Sequence, residues 1–401
     1  MSKANLKNLF HPGDGRIPPY FAGRKEEKEY FQNCVELLLC KSSPDQNMII
    51  YGPRGNGKTA MLRYFQKQTL EQTDNKIEIL WITPSEFKDL AELVGLIIGN
   101  DQSLFKKVQN MFKPLIDNLS VASNIGPTSF TTSFNRPKVT LALKSLFFEK
   151  SKKKPLILIV DKAHTLDSEI IMMILNASQD IRVEGCPFFL VLSGTPNLKT
   201  ELRNSNASFW SRSAIFPVGR LSNEDSFEAL TVPLREHNVE FSQGLESELL
   251  SRVSCYPYFI QVWGNCIANR LYENGSLRVT VDTISEVEKT AMMRCNQMYL
   301  DRYGELKEMN LRSLAVIIAE EFGNTEREYI REKEFEQLIE KELGNQGIQV
   351  TNETIMENIR KLLHIGYVWE VSVTDQDNGG YSLLCYEPGI PSLMRYVRMQ
   401  I

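Results

Sequence analysis

The sequence predicts an α/β protein built on a parallel sheet flanked by helices, and three observations carry that prediction. Short, wholly apolar runs recur at Met48-Ile49-Ile50-Tyr51, Leu156-Ile157-Leu158-Ile159-Val160 and Phe188-Phe189-Leu190-Val191-Leu192. Runs without polar alternation suit strands covered on both faces, as in a parallel sheet. Helical stretches separate them, for example 59–68, where Met61, Leu62 and Phe65 share one face. Strands alternating with helices through residue 217 give a doubly wound order.

Along the chain, residues 1–23 carry turn-forming punctuation at His11-Pro12-Gly13-Asp14-Gly15 and Pro18-Pro19, before a charged helical stretch from Arg24. Residues 77–82 form a further strand candidate. The Ser/Thr/Asn/Gly-rich stretch 120–135 reads as a surface loop, and Lys152-Lys153-Lys154 as a solvated loop ahead of a buried strand. Residues 221–303 turn helical with few strand signals. The tail shows helices and then a hairpin, with turn chemistry at Asp377-Asn378-Gly379-Gly380. These shifts predict three domains, at 1–218, 219–303 and 304–401.

Bulk properties exclude several classes. With 401 residues, 42% of them hydrophobic, the chain is long enough for more than one core. Seven scattered cysteines without a C-x-x-C pair, and only four histidines, argue against a disulfide frame or a zinc site. No apolar run reaches membrane-spanning length, and residues 1–10 are too polar for a signal peptide, so a cytoplasmic protein is expected. The net charge of -4 gives no bulk reason to expect nucleic acid or an anionic membrane as partner.

The chemistry concentrates at Gly52-Pro53-Arg54-Gly55-Asn56-Gly57-Lys58-Thr59-Ala60, which fits G-x-x-x-x-G-K-[ST] directly after a strand and before a helix. Glycines let successive backbone N–H groups point at phosphates, and the helix N-terminus adds partial positive charge. Lys58 would reach the β- and γ-phosphates, and the Thr59 hydroxyl would help hold Mg²⁺. A metal-holding acid belongs at the end of a second buried strand, which is where Asp161 stands. The expected ligand is a nucleoside triphosphate, ATP first.

With these residues in view, the chain resembles AAA+ ATPases of the branch that includes archaeal origin-recognition initiators and related bacterial ATP-binding proteins. The resemblance spans nearly the whole chain and implies a P-loop AAA+ core, a helical lid and a C-terminal winged helix, with ATP or ADP and Mg²⁺ as cofactors. Pro18-Pro19-Tyr20-Phe21-Ala22-Gly23-Arg24 resembles the segment that packs near adenine, which carries Phe21 and Arg24 into the site. Ser193-Gly194-Thr195-Pro196-Asn197 is similar to the sensor segment, with Thr195 reading the γ-phosphate. Ser211-Arg212 resembles the arginine-finger position, which serves a neighbouring subunit. Tyr256-Pro257 looks like the Gly-x-Pro element of signalling relatives, placing Pro257 at the nucleotide, although Cys255 replaces the glycine. No arginine occupies the second sensor place near Tyr258. The tail at Pro388-Gly389-Ile390-Pro391-Ser392-Leu393-Met394 resembles the winged-helix end of the bacterial members.

One departure changes the functional expectation. The family usually reads Asp-Glu where this chain reads Asp161-Lys162, so the glutamate that serves as general base is missing. An ammonium with an ordinary pKa near 10.4 does not take a proton at neutral pH. Asp167 and Glu169 follow but nothing in the sequence aims either at the site. Binding is therefore expected with slow hydrolysis. The leading expectation is a nucleotide-controlled switch or assembly factor acting on a protein partner or on further copies of itself. The alternatives are a DNA-acting ATPase like an initiator or transposition regulator, and a nucleotide-loaded structural subunit of a defence or toxin complex. Against DNA, the groove-entering helix expected at 351–363 carries Glu353, Glu357, Arg360 and Lys361, which cancel, and Arg395 and Arg398 are few.

Overall fold

The computed structural model describes residues 6–87, 90–99, 101–104, 106, 136–205, 207–325, 327–375 and 381–400. The expected loop at 120–135 and the turn at 377–380 lie outside the described residues. The chain divides into two compact units. One holds Arg24–Tyr51 and Leu62–Pro217; the other holds Met1–Gly23, Gly52–Met61 and Val218–Ile401.

The first unit is the parallel sheet and its helices. Its elements are α1 (Lys25–Leu39), β1 (Asn47–Tyr51), most of α2 (Lys58–Thr73), β2 (Glu78–Ile82), α3 (Leu90–Ile98), α4 (Arg136–Lys153) and β3 (Leu156–Val160). They continue through α5 (Ser168–Val183), β4 (Phe188–Gly194), α6 (Asn197–Ser205), α7 (Ala207–Ser211) and β5 (Ser213–Pro217). The five strands run in the order β2-β3-β4-β1-β5, all neighbours parallel. β1, β3 and β4 are buried along their whole length, while β2 and β5 at the edges are half-buried. This is why the three central strands read as unbroken apolar runs. Helices cover the sheet: Leu143, Leu146 and Phe147 of α4 and Ile171, Ile174 and Ile181 of α5 share a core with Leu156, Leu158 and Leu190. Phe31 of α1 stacks on Phe65 of α2 at 4.2 Å.

The Lys152-Lys153-Lys154 run is a correction. Lys152 and Lys153 form the last helical turn of α4, where cations meet the negative end of the helix dipole. Lys153 pairs with Asp101 at 2.6 Å, and Lys154 donates to the Asn75 carbonyl at 3.2 Å.

The second unit is mostly helical up to residue 325. It contains α8 (Asn223–Glu236), the short pair β6 (Glu240–Phe241) and β7 (Arg278–Val279), α9 (Leu245–Val253), α10 (Pro257–Asn274) and α11 (Val281–Glu308). Caps fix the ends: the Ser222 hydroxyl accepts the Asp225 N–H, and Thr280 opens α11 with a capping box. Pro257 sits in the first turn of α10, where its missing N–H costs nothing. The remaining elements are α12 (Arg312–Thr325), β8 (Ile330–Arg331), α13 (Glu332–Asn345), α14 (Asn352–Ile365), β9 (Val368–Asp375), β10 (Tyr381–Pro388) and α15 (Pro391–Arg398). β8, β10 and β9 form one antiparallel sheet, so the order helix, strand, two helices, hairpin is that of a winged helix. A single core joins this tail to the lid helices through Trp263, Phe259, Tyr299, Leu314, Phe335 and Leu393. Among the described residues no helix is long and apolar enough to cross a membrane.

Candidate nucleotide site

The loop leaves the C-terminal end of β1, and the sheet register explains why chemistry gathers at that edge. Tyr51 lies opposite Gly194 on β4, and Val160 of β3 opposite Leu192, so β1, β3 and β4 end together. β1 is inserted between β4 and β5, out of sequence order, and such a reversal point opens a crevice beyond the strand ends.

Within the second unit the loop is held in shape by its neighbours. Gly55 and Gly57 have φ of 89° and 84°, values open to glycine. Tyr256 explains the first glycine further, because a Cβ on Gly55 would run into its phenol oxygen. That phenol donates to the Arg54 carbonyl. Burial pushes the Tyr256 phenol well above its ordinary value, opposed by the Arg302 charge, so it stays a donor. Asn56 donates to the Val218 carbonyl at 3.1 Å, and its buried Oδ1 has no partner. Lys58 Nζ lies 2.7 Å from both the Gly52 and Pro53 carbonyls. Pro257 comes against the loop, its Cβ 3.9 Å from where a Gly57 Cβ would stand. Thr59 meets the N-terminal segment, where a Cβ on Gly15 would lie 3.1 Å from its Cγ2. Ala60 continues α2. Phe21 is half-buried, and its neighbour Gly23 packs on Asp225 of α8.

The remaining sequence candidates belong to the first unit. Asp161, 4% exposed, follows β3, and its Oδ1 accepts the Lys162 N–H at 3.0 Å. Lys162 is exposed and adopts left-handed backbone at φ 57°. Asp167 and Glu169 are exposed at the start of α5. Thr195 is 2% exposed and its hydroxyl is buried without a partner. Its backbone N–H donates to His164 Nδ1 at 3.2 Å, so His164 ties the Asp161 turn to the end of β4. Arg24 opens α1 from left-handed backbone. Arg212 is exposed just before β5 and makes no ion pair among the described residues.

Sequence reasoning missed three contributors. Tyr256 adjoins Pro257 in the Gly-x-Pro-like stretch, but the motif singles out only the proline. His164, three positions after Asp161, had the spacing of a turn and no other signal. Glu305, on α11, pairs with Arg54 at 3.2 Å across a separation in sequence that no local pattern reveals. At the Gly-x-Pro resemblance, Ser254 and Cys255 both take left-handed backbone, at φ 50° and 55°. The turn a glycine would make is thus present, with strain of roughly 1–2 kcal/mol per residue.

Residues 41–202 match the family model of the AAA domain. The match takes in the phosphate loop, Asp161 and Thr195, so this segment of the chain resembles an AAA domain. Over nearly its full length the chain has a fold similar to those of two archaeal proteins. The Walker-type ATPase of Pyrococcus abyssi superposes with a TM-score of 0.59 at 17% identity, covering 98% of this chain and 99% of that one. The Orc2 protein of Aeropyrum pernix, solved as ADPNP–ADP complexes, gives 0.57 at 12% identity, with 97% of each chain covered. No curated protein matches.

Proposed function

We propose that this chain is an ATP-controlled AAA switch or assembly factor whose nucleotide state sets its engagement with a protein partner or a neighbouring copy. ATP or ADP occupies the loop Gly52–Thr59, with Pro257, Phe21 and Arg24 around the nucleoside. The carrying observation is the loop itself, a complete phosphate-loop sequence whose backbone is held by hydrogen bonds from Asn56, Lys58 and Tyr256. The partnerless buried hydroxyl of Thr195 supports its role as a reader of the γ-phosphate, since such a group calls for a partner.

Magnesium fits the donor set. Among the described residues no group of three His, Cys, Asp or Glu side chains could cage a metal. Mg²⁺ characteristically needs only one or two protein oxygens besides phosphates and waters. By the sequence motifs, the Asp161 carboxylate and the Thr59 hydroxyl would be those donors, and the ion would neutralise phosphate charge. Arg212, exposed and without an ion pair, suits a role toward a neighbour's nucleotide. With Lys162 in the base position, hydrolysis is slow and bound nucleotide is a lasting state. The three-part division at 1–218, 219–303 and 304–401 belongs to this reading: loop and sheet bind, and lid and tail report.

Sedimentation of the full chain with ATP–Mg²⁺, with ADP and without nucleotide tests this. ATP is expected to shift the mass or shape distribution, and Lys58→Ala to abolish the shift. Losing a charge-assisted contact of about 1.5–3 kcal/mol should weaken ATP binding roughly ten- to hundredfold. Identical profiles in all nucleotide states would defeat the switch reading.

A DNA-acting ATPase is the second reading, and one observation favours it. Arg220, Arg327, Arg395 and Arg398 line a cleft of about 780 Å³ in the second unit with Glu328 and Glu387; Arg220 pairs with Glu387 and Arg327 with Glu334, both at 3.0 Å, so Arg395 and Arg398 are the cations there to meet a phosphate. Phosphate binding there predicts salt-sensitive DNA affinity. No retention of DNA at low salt with ATP present excludes it.

A further inference from the structure

The outer face of the loop is held by residues that belong to no nucleotide motif. Glu305 Oε1 lies 3.2 Å from Arg54 Nη1, and its Oε2 takes Arg302 Nη1 at 2.7 Å. Gly366 closes α14 in left-handed backbone at φ 77°, so close to the loop that a Cβ there would sit 2.8 Å from Pro53 Cβ. Two residues earlier, the half-buried His364 feels the charges of Arg54 on the loop and of Arg302 and Glu305 on α11, and among the described residues its buried Nδ1 has no partner. Pro53 and Arg54 are thus gripped from outside by α11 and the end of α14.

We propose that Glu305 and the Gly366 end of α14 are positioning elements for the nucleotide, so that phosphate binding at the loop and seating of the C-terminal elements form one coupled equilibrium. This rests on the ATP reading above and names its regulation. A phosphate cradle works through the direction of its backbone N–H groups, so immobilising Pro53 and Arg54 before the ligand arrives removes an ordering cost from binding. The Arg54 side chain is 53% exposed, so the ion pair contributes little to global stability. Its consequence is local, in the loop geometry. Reciprocity then requires that ATP strengthen the seating of α14 by the factor through which that seating strengthens ATP binding. His364 is the natural reporter: negative phosphate arriving beside its cationic neighbours favours the imidazolium, so its pKa rises on loading.

The test uses the full chain. Hydrogen exchange of residues 362–367 and the His364 titration by NMR are recorded with and without ATP–Mg²⁺, alongside the ATP Kd. In the native protein, ATP is expected to protect 362–367 and raise the His364 pKa. Glu305→Gln should weaken ATP binding roughly five- to tenfold, within the range of measured coupling between sites, and erase the ATP-dependent protection. If Glu305→Gln fails to fold because Arg302 loses its carboxylate, Arg54→Ala leaves that pair intact, and it should bind ATP without protecting 362–367. The proposal is overturned if ATP binds the native chain but not Lys58→Ala, while exchange at 362–367 ignores ATP and the variants bind within twofold of native, or more tightly. A native chain that binds no ATP at all removes the underlying reading, and this proposal with it.

Discussion

At residue scale, single side chains decide what the loop can do. Lys162 stands exposed after a buried carboxylate, where the related pattern places a base. His364 carries a consequence for pH. Burial first, and then the charge of Arg54, hold its pKa below the ordinary 6.5, with Glu305 opposing. The unfolded chain therefore takes the proton first as pH falls, so this residue contributes stability above about 6.5 that is lost as pH drops through the lower folded value. Thermal unfolding between pH 7.5 and 5 should show that decline, and His364→Gln should flatten it. An unchanged slope in the variant would show that other groups carry the decline.

At element scale, what was legible in the sequence followed burial. β1, β3 and β4 are covered on both faces, so their apolar runs stood out, and α14 was legible from the helical spacing of Ile355, Ile359, Leu362 and Leu363. Gly52–Thr59 was legible because a phosphate loop is contiguous. The contacts of Tyr256, Glu305 and Gly366 with that loop were not, since each comes from an element far along the chain and local spacing carries no trace of it. The basic cleft was hidden for the same reason. Arg395 and Arg398 of α15 lie far in sequence from Arg220 and Arg327, which share the cleft with them and are themselves paired with Glu387 and Glu334. If DNA binds there, Arg395→Ala with Arg398→Ala should reduce the salt dependence by about two counterions, while changes on the charge-balanced α14 should leave it alone. The reverse outcome would return the role to the groove-entering helix.

At the scale of the whole molecule, the two units divide the work. Asp161, Thr195 and Arg212 belong to the sheet unit, and the loop belongs to the other unit with the helices and tail that grip it. On the proposed reading, a nucleotide that stays in place would give that tail a lasting signal. ATP bound and phosphate released, measured in the same samples of native protein and Lys162→Glu, test the account most directly. It predicts that native protein holds ATP with little release, and that Lys162→Glu releases phosphate at least about a hundredfold faster, the usual reach of a positioned base. Native turnover equal to that of the variant, or no bound ATP in either, would contradict it.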